Sequence, residues 1–489
     1  MRQRVSLNMI VRDEEANLPA CLDGIADLVD EMVIVDTGST DETKAIAHRY
    51  GARVFDFPWR DHFAAARNEA LERASGDWVF WLDADDRLDE EERRKLRALF
   101  NTLRDELAVW LLQCISPSAG DQAAMTVLEQ GRLFRHDPRV RWQYRVHEQI
   151  VPAIERLGGA TYRSDIVVRH VGYSDALQRR AKLQRDLRLL ALDNADQPDD
   201  PLTLFHLGWT HSLLGDAPAA VPVLERCRQV TPPNLAIVGK LHALLARSLR
   251  QTGQTDAALT VCRQGLAIYP DHAELLFHSG QLLAQRRRFA EAEASLLRLT
   301  APAGNPGMAM GDDPGLRGYK GRCALAEIYR DWGRPADAEV QWRAALAEQP
   351  GYLVSWICLA DLFLAQGRWG DAEQLAERLQ TLARPVEALV LRARAHMTRR
   401  EFTAARQLAE QAVTLAPDLL MAREVLSHVL VLEGRDWAAA EQAVREVLAR
   451  QPSNTTALTN LAVVERHLAA ERQRGGPGFL TGGSIIVGG

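Results

Sequence analysis

A glycine followed by an alanine-rich run recurs down the second half of this chain at a spacing of roughly 34 residues. Leu-Gly-Asp around Gly215, Thr-Gly-Gln around Gly253, Trp-Gly-Arg around Gly333 and Gln-Gly-Arg around Gly367 are such points. The runs behind them carry Ala219-Ala220, Ala257-Ala258, Ala338 and Ala372. Arg-Arg-Glu-Phe at 399–402 and Glu-Gly-Arg-Asp-Trp at 433–437 keep the spacing, and prolines at 232, 270, 302, 350, 417 and 452 close most units. A unit this short is a helix pair that cannot bury its apolar face alone, so neighbours must stack into a solenoid. From about Leu177 strand signals vanish, and the spacing predicts about seven helix pairs over 202–470. Residues 302–318 read as an inserted loop. The last fifteen residues, 475–489, hold seven glycines and read as a flexible tail.

The first 175 or so residues obey a different period. Val5–Val11, Met32–Asp36, Arg53–Phe57 and Trp78–Leu82 are short apolar runs with strand character. Between them lie amphipathic stretches that predict helices over Leu18–Asp30, Thr40–Tyr50 and His62–Ala74. For the second of these, Ser39 and Glu42 have capping-box spacing. Strands alternating with helices imply a parallel sheet, whose ligands meet the carboxyl ends of the strands. Asp36 and Asp83 both stand at such ends. Asp83-Ala84-Asp85, just past Trp-Val-Phe-Trp-Leu, is a carboxylate pair with the spacing to hold a divalent cation, and a cation there would neutralise phosphates.

Composition narrows the function classes. A net charge of −6 argues against a general nucleic-acid or anionic-membrane binder. Six cysteines without a CxxC pair suggest neither a disulfide framework nor a zinc site, and so a reducing compartment. No stretch approaches the ~18 apolar residues of a membrane span. The start of the chain turns charged at Asp13, too early for a signal peptide's apolar region. The expectation is a cytoplasmic protein.

Four segments together resemble family 2 glycosyltransferases: Ser6-Leu7-Asn8-Met9-Ile10-Val11-Arg12-Asp13-Glu14-Glu15, Val33-Ile34-Val35-Asp36-Thr37-Gly38-Ser39-Thr40-Asp41, Ala66-Arg67-Asn68 and Asp77-Trp78-Val79-Phe80-Trp81-Leu82-Asp83-Ala84-Asp85-Asp86. The helical half resembles tetratricopeptide repeats. The resemblance implies an α/β GT-A nucleotide-sugar-binding domain over 1–176, an all-α tetratricopeptide-like solenoid over 177–474 and the tail. The combination is similar to the sublancin-type peptide glycosyltransferases and some lipopolysaccharide-core transferases.

The same resemblance implies an activity and a role for each site residue. The activity is an inverting, metal-dependent hexosyl- or N-acetylhexosaminyl-type transfer. The sugar passes from a nucleotide-sugar, UDP-linked in the family, to a peptide, protein or glycan acceptor. Val11, Asp13 and Glu15 belong to the loop that cups the nucleobase; many relatives carry Asn in place of Asp13. Asp36 accepts hydrogen bonds from base or ribose, with Thr37 where the family often has a second acid. Arg67 lies near the nucleotide and could pair with phosphate. Asp83, with Ala84 beside it, reaches ribose and metal-bound water. Asp85 binds the metal, Mn2+ or Mg2+, and His170 in Arg-His-Val-Gly-Tyr is preferred over His147 as a further ligand. Asp86 reads as a supporting or capping residue. Glu148 is the candidate general base; a salt bridge to Arg132, Arg135 or Arg145 competes for it. Trp142 and Tyr144 could stack on a sugar or acceptor, or serve as core aromatics. The repeats would recruit an acceptor or mediate a homodimer. A repeat scaffold with a silent transferase-like domain is the rival reading.

Overall fold

The structure, a computed structural model, describes residues 2–117, 125–172, 176–301 and 313–474. The tail over 475–489, Tyr173 and most of the inserted loop, 302–312, lie outside the described residues. Two compact units divide the chain, Met1–Trp332 and Gly333–Gly489.

The first unit begins with β1 (Val5–Val11), α1 (Leu18–Asp23), β2 (Glu31–Asp36), α2 (Thr43–Arg49), β3 (Arg53–Asp56), α3 (Phe63–Arg73) and β4 (Trp78–Trp81). After these come β5 (Asp86–Arg87), α4 (Glu90–Thr102), β6 (Ala108–Pro117), β7 (Met125–Arg135), α5 (Val151–Arg156) and β8 (Ala160–His170). All eight strands form one sheet in the order β3-β2-β1-β4-β7-β6-β8-β5. The β3-β2-β1-β4 half is parallel, as the strand–helix alternation predicts. β7 joins β4 antiparallel, and β6 and β8 extend the sheet in mixed directions. Val5, Leu7, Val33, Ile34, Val35, Trp78 and Phe80 are all fully buried, because helices cover both faces of a parallel sheet. The register pairs Val11 with Asp36, so β1 and β2 end level.

Two predicted helices are shorter than the apolar period suggests. α1 stops at Asp23 before Gly24, and Ile25 and Leu28 are buried from turns instead. α2 starts at Thr43, not Thr40, and the capping box does not form. Ser39 Oγ is taken by the Asp13 amide (2.9 Å), while Thr40 N donates to Asp13 Oδ1 (2.7 Å). A loop-to-loop contact outcompetes the local cap.

The rest of the first unit is helical: α6 (Ala176–Asp196), α7 (Pro201–Leu213), α8 (Ala217–Val230), α9 (Val238–Gln251), α10 (Thr255–Ile268), α11 (Ala273–Gln285), α12 (Phe289–Thr300) and α13 (Tyr319–Asp331). The second unit continues with α14 (Pro335–Glu348), α15 (Leu353–Ala365), α16 (Trp369–Thr381), α17 (Pro385–Thr398), α18 (Phe402–Leu415), α19 (Leu420–Glu433), α20 (Trp437–Arg450) and α21 (Thr455–Arg474). Within each unit, consecutive helices pack against one another, as the 34-residue recurrence demands. At Gly367 the turn needs φ of +70°, and a Cβ there would meet only Trp369 Nε1, at 4.0 Å. Where the recurrence lacks glycine, Arg287 and Arg400 adopt the same left-handed conformation (φ 56° and 61°) at a steric cost of about 1–2 kcal/mol. Among the tryptophans of the repeats, Trp342 and Trp356 are buried while Trp369 is 37% exposed.

Candidate active site

β4 delivers the acidic segment to the carboxyl rim of the sheet and ends there, because the chain turns back on itself at Asp83. Asp86 makes that turn. Its Oδ2 accepts from the Asp83 amide (2.8 Å) and from Arg132 Nη1 (2.7 Å), and its side chain is fully buried. Residues 86 and 87 then form β5 against β8, which sets Asp86 beside His170 in register. Asp86 Oδ1 lies 3.1 Å from His170 Nδ1, and Asp85 Oδ1 lies 3.3 Å from the same nitrogen. One ligand atom each from Asp83, Asp85, Asp86 and His170 can be chosen so that all lie within 4.8 Å of one another.

The electrostatics separate the three acids. Desolvation and the neighbouring charges of Asp83 and Asp86 raise the Asp85 pKa, with His170 opposing. Desolvation also acts on Asp83, but Arg67 and Arg132 outweigh it and hold its pKa at about 2. The hydrogen bond to Asp86 raises His170, and the other two acids add to that. Glu14, brought close by the loop after β1, is raised by burial and by Asp85 and Asp83. A rim this rich in carboxylates suits a hard divalent cation. The donor set of Asp85, Asp83 and an imidazole fits Mn2+ or Mg2+, whereas Asp86 has both oxygens engaged.

Arg67 is not an exposed helix residue. It is 7% exposed, with its guanidinium over the Trp81 ring at 4.1 Å and the Trp142 ring at 5.3 Å. Nε donates to Glu148 Oε1 (2.5 Å) and Nη2 to Asp83 Oδ1 (2.9 Å). Two carboxylates thus flank its charge, and the side chain bridges Asp83 and Glu148. Glu148 does sit in an ion pair, but the partner is Arg67. Arg132 belongs to Asp86, Arg135 to Asp105 and Arg145 to Asp193 and Asp196. Glu148 Oε2 makes no hydrogen bond among the described residues.

Asp36 is 1% exposed. Its Oδ1 accepts from the Gly38 and Ser39 amides (3.0 and 2.9 Å), while its Oδ2 is buried without a partner. An orphaned buried carboxylate oxygen is costly unless a ligand donor meets it. Thr37 donates its hydroxyl to Val11 O (3.1 Å), tying β2 to β1 instead of offering a second acid. Asp13 has φ of 53°, a conformation Asp and Asn tolerate better than most residues; the Asn of relatives suits the same backbone. Glu15 Oε2 accepts from the Glu42 amide (3.1 Å), and Ala84 O accepts from Arg87.

The remaining aromatic candidates are placed by packing. Trp142 is 6% exposed and edge-on to Trp81 and Phe134, so its ring is not open to stack on a sugar. The Tyr144 hydroxyl donates to Asp200 Oδ1 (3.2 Å), and burial together with that carboxylate pushes its pKa up to about 12. His147 lies outside the acidic cluster; its ring stacks on His206 of α7 at 4.1 Å. Sequence reasoning missed Arg132, Glu14 and the tryptophan between two guanidiniums: Trp81 carries Arg67 on one contact and Arg132, at 3.7 Å, on another. Arg132 leaves no local signal, since its partner Asp86 lies 46 residues earlier in the chain.

Residues 6–148 match the glycosyl transferase family 2 model, and residues 244–307, 323–385, 359–419 and 430–470 match a tetratricopeptide repeat model. A TPR repeat-containing protein of Synechococcus elongatus is 36% identical over 263 residues, covering 52% of this chain and 64% of the relative. The SPbeta prophage-derived glycosyltransferase SunS of Bacillus subtilis is 25% identical over 232 residues, covering 45% and 52%. The lipopolysaccharide core biosynthesis glycosyltransferase LpsC of Rhizobium meliloti is 34% identical over 157 residues, covering 30% and 57%. The chain thus matches between 52% and 64% of the length of each of these relatives.

Proposed function

Because residues 6–148 match the glycosyl transferase family 2 model and matches to a tetratricopeptide repeat model follow, we propose that the chain is an inverting glycosyltransferase. It moves a sugar from a nucleotide-sugar, UDP-linked, to a peptide, protein or glycan acceptor, and depends on a divalent metal. The observation that carries this reading is the cluster of Asp83, Asp85 and His170 at the sheet rim, a donor set that Asp86 and Arg132 hold in place.

The loop from Val11 to Glu15 and Asp36 form the nucleotide side, where Asp36 Oδ2 accepts a ribose or base donor. Asp85 and His170 hold the metal. A proton on Nδ1, donated to Asp86, leaves His170 Nε2 with its lone pair, the arrangement a carboxylate imposes on a metal-binding imidazole. The metal supplies charge neutralisation of the departing diphosphate. Asp83 keeps its negative charge, and Arg67 ties it to Glu148, fixing the spacing between the donor side and the proton acceptor. Glu148 takes the acceptor proton through Oε2, which Arg67 leaves unengaged. The metal-free environment of Asp85 disfavours its ionised form, so a bound cation would find a carboxylate whose charge is not yet balanced.

The test is nucleotide release from a panel of UDP-sugars with Mn2+ or Mg2+, comparing the wild type with Asp85→Ala. Turnover in the wild type with its loss in D85A is the expected result. Equal turnover in both overturns the metal assignment.

A further inference from the structure

A cavity of about 290 Å³ opens between α16 and α17 of the second unit, lined by Trp369 and Glu373 of the first helix and by Arg392, Ala395, His396 and Arg399 of the second. Trp369 opens α16 just after the turn at Gly367, as Phe289 opens α12 and Trp437 opens α20. At those two other positions the next helix supplies an aromatic partner: Phe289 stacks on Trp332 at 5.9 Å and Trp437 on His467 at 4.0 Å. Trp369 meets a guanidinium instead. Arg399 stands 5.9 Å from its centroid, and the residue stays 37% exposed. Behind it comes Gly370, where the corresponding positions hold Ala290 and Ala438, and a Cβ at 370 would meet nothing within 4 Å. One ring and one methyl short, this junction leaves a slot beside the indole.

The polar groups around the slot are paired with one another. Arg392 Nε donates to Glu373 Oε1 (2.7 Å). Glu401, just before α18, lies 2.6 Å from His396 Nδ1 and 2.9 Å from Arg399 Nη2. Two guanidiniums thus face two carboxylates. All of these side chains keep part of their surface in water, and ion pairs open to water contribute little to stability. A ligand can therefore share their hydrogen bonds at small cost, provided that it leaves the charge balance as it is.

We propose that this cavity binds a pyranose ring of a neutral glycan. The C–H face of a pyranose is apolar and meets the electron-rich face of the Trp369 indole. Its rim of hydroxyls both donates and accepts, so the same ring serves the Glu373 carboxylate and the Arg392 and Arg399 guanidiniums. A phosphate or carboxylate would instead draw an arginine from its acid and leave that acid unpaired. An apolar side chain would cover the ion pairs without hydrogen-bonding them. The volume lies just below the ~300–1,000 Å³ of small-molecule clefts, which suits a single sugar ring. The cavity uses no residue of the acidic rim, so the proposal stands apart from the transferase reading.

Binding is measured on the full chain, in EDTA and without nucleotide, by saturation-transfer NMR titration with β-linked trisaccharides of glucose, galactose and N-acetylglucosamine. At least one of the three binds with a Kd of about 1 mM or tighter, and Trp369→Ala weakens it by roughly tenfold or more. Trp437→Phe, at the junction where a histidine ring already fills the slot, leaves binding unchanged. Ala395→Leu guards against loss of fold: it fills the cavity with apolar atoms, holding or raising Tm while weakening the sugar by a similar factor. Wild-type affinity in both W369A and A395L places the sugar elsewhere and overturns the proposal, as does failure of all three trisaccharides to bind. Tighter binding of the matching glucuronate trisaccharide would overturn the neutral assignment. Full displacement of the sugar by equimolar uridine would make the slot one for a flat base and overturn the pyranose assignment.

Discussion

Asp85 and Asp86 are neighbours with opposite effects on the folded chain. Asp86 is fully buried and engages Arg132, the Asp83 amide and His170. Removing its charge strands a buried guanidinium, so Asp86→Asn should cost about 3–5 kcal/mol in a denaturant titration. Asp85 instead is destabilised by desolvation and by like charges. Asp85→Asn should leave metal-free stability unchanged or raise it, while abolishing activity. Stabilisation at the expense of function is what a ligand-binding charge predicts; a loss in D85N comparable to that of D86N would make Asp85 structural. The Asp-Ala-Asp spacing and the strand before it were readable in one dimension. The division of labour among the acids was not, because it depends on Arg132 arriving from β7 and His170 from β8, both far away in sequence.

At the scale of elements, the loop carrying Glu148 owes its shape to helices beyond the sheet. Tyr144 and His147 take positive φ (73° and 55°), Arg145 binds Asp193 and Asp196 of α6, and Tyr144 reaches Asp200 at the start of α7. Val146 packs with Leu189, Leu190 and Leu207. The parallel strands were legible because β2 and β4 are built on continuous apolar runs, β1 is apolar but for Ser6 and Asn8, and charged residues follow close behind each. This loop was not, since residues 142–149 have no periodicity and their partners lie some fifty positions on. The repeats invite a paired test, as glycine fills the turn at 367 and arginine the equivalent turn at 400. Arg400→Gly relieves about 1–2 kcal/mol of strain against an entropy cost of about 0.5–1 kcal/mol. The net should be a gain in urea midpoint, whereas Gly367→Ala should lower it. Equal signs for the two would show that the turns are not alike.

Across the whole molecule, the described helices include none long and apolar enough to cross a membrane. The buried histidines of the repeats set its response to acid. Burial, chiefly, holds His272 at about 4 and His278 at about 3. Because these folded-state values lie below that of an unfolded histidine, the unfolded chain binds more protons between them. Stability is therefore complete above about pH 6.5 and falls below it by about 1.4 kcal/mol per pH unit for each group. Denaturation midpoints at pH 7.5 and 5 should show this loss, and His278→Gln should reduce it. A mutant slope equal to that of the wild type would locate the acid sensitivity elsewhere. Whether the rim of the sheet binds a nucleotide through a metal held by Asp85 and His170 is decided most directly by calorimetric titration of UDP. Binding to the wild type in Mn2+, absent in EDTA and absent in Asp85→Ala, is the predicted result; binding of equal strength in all three would contradict it.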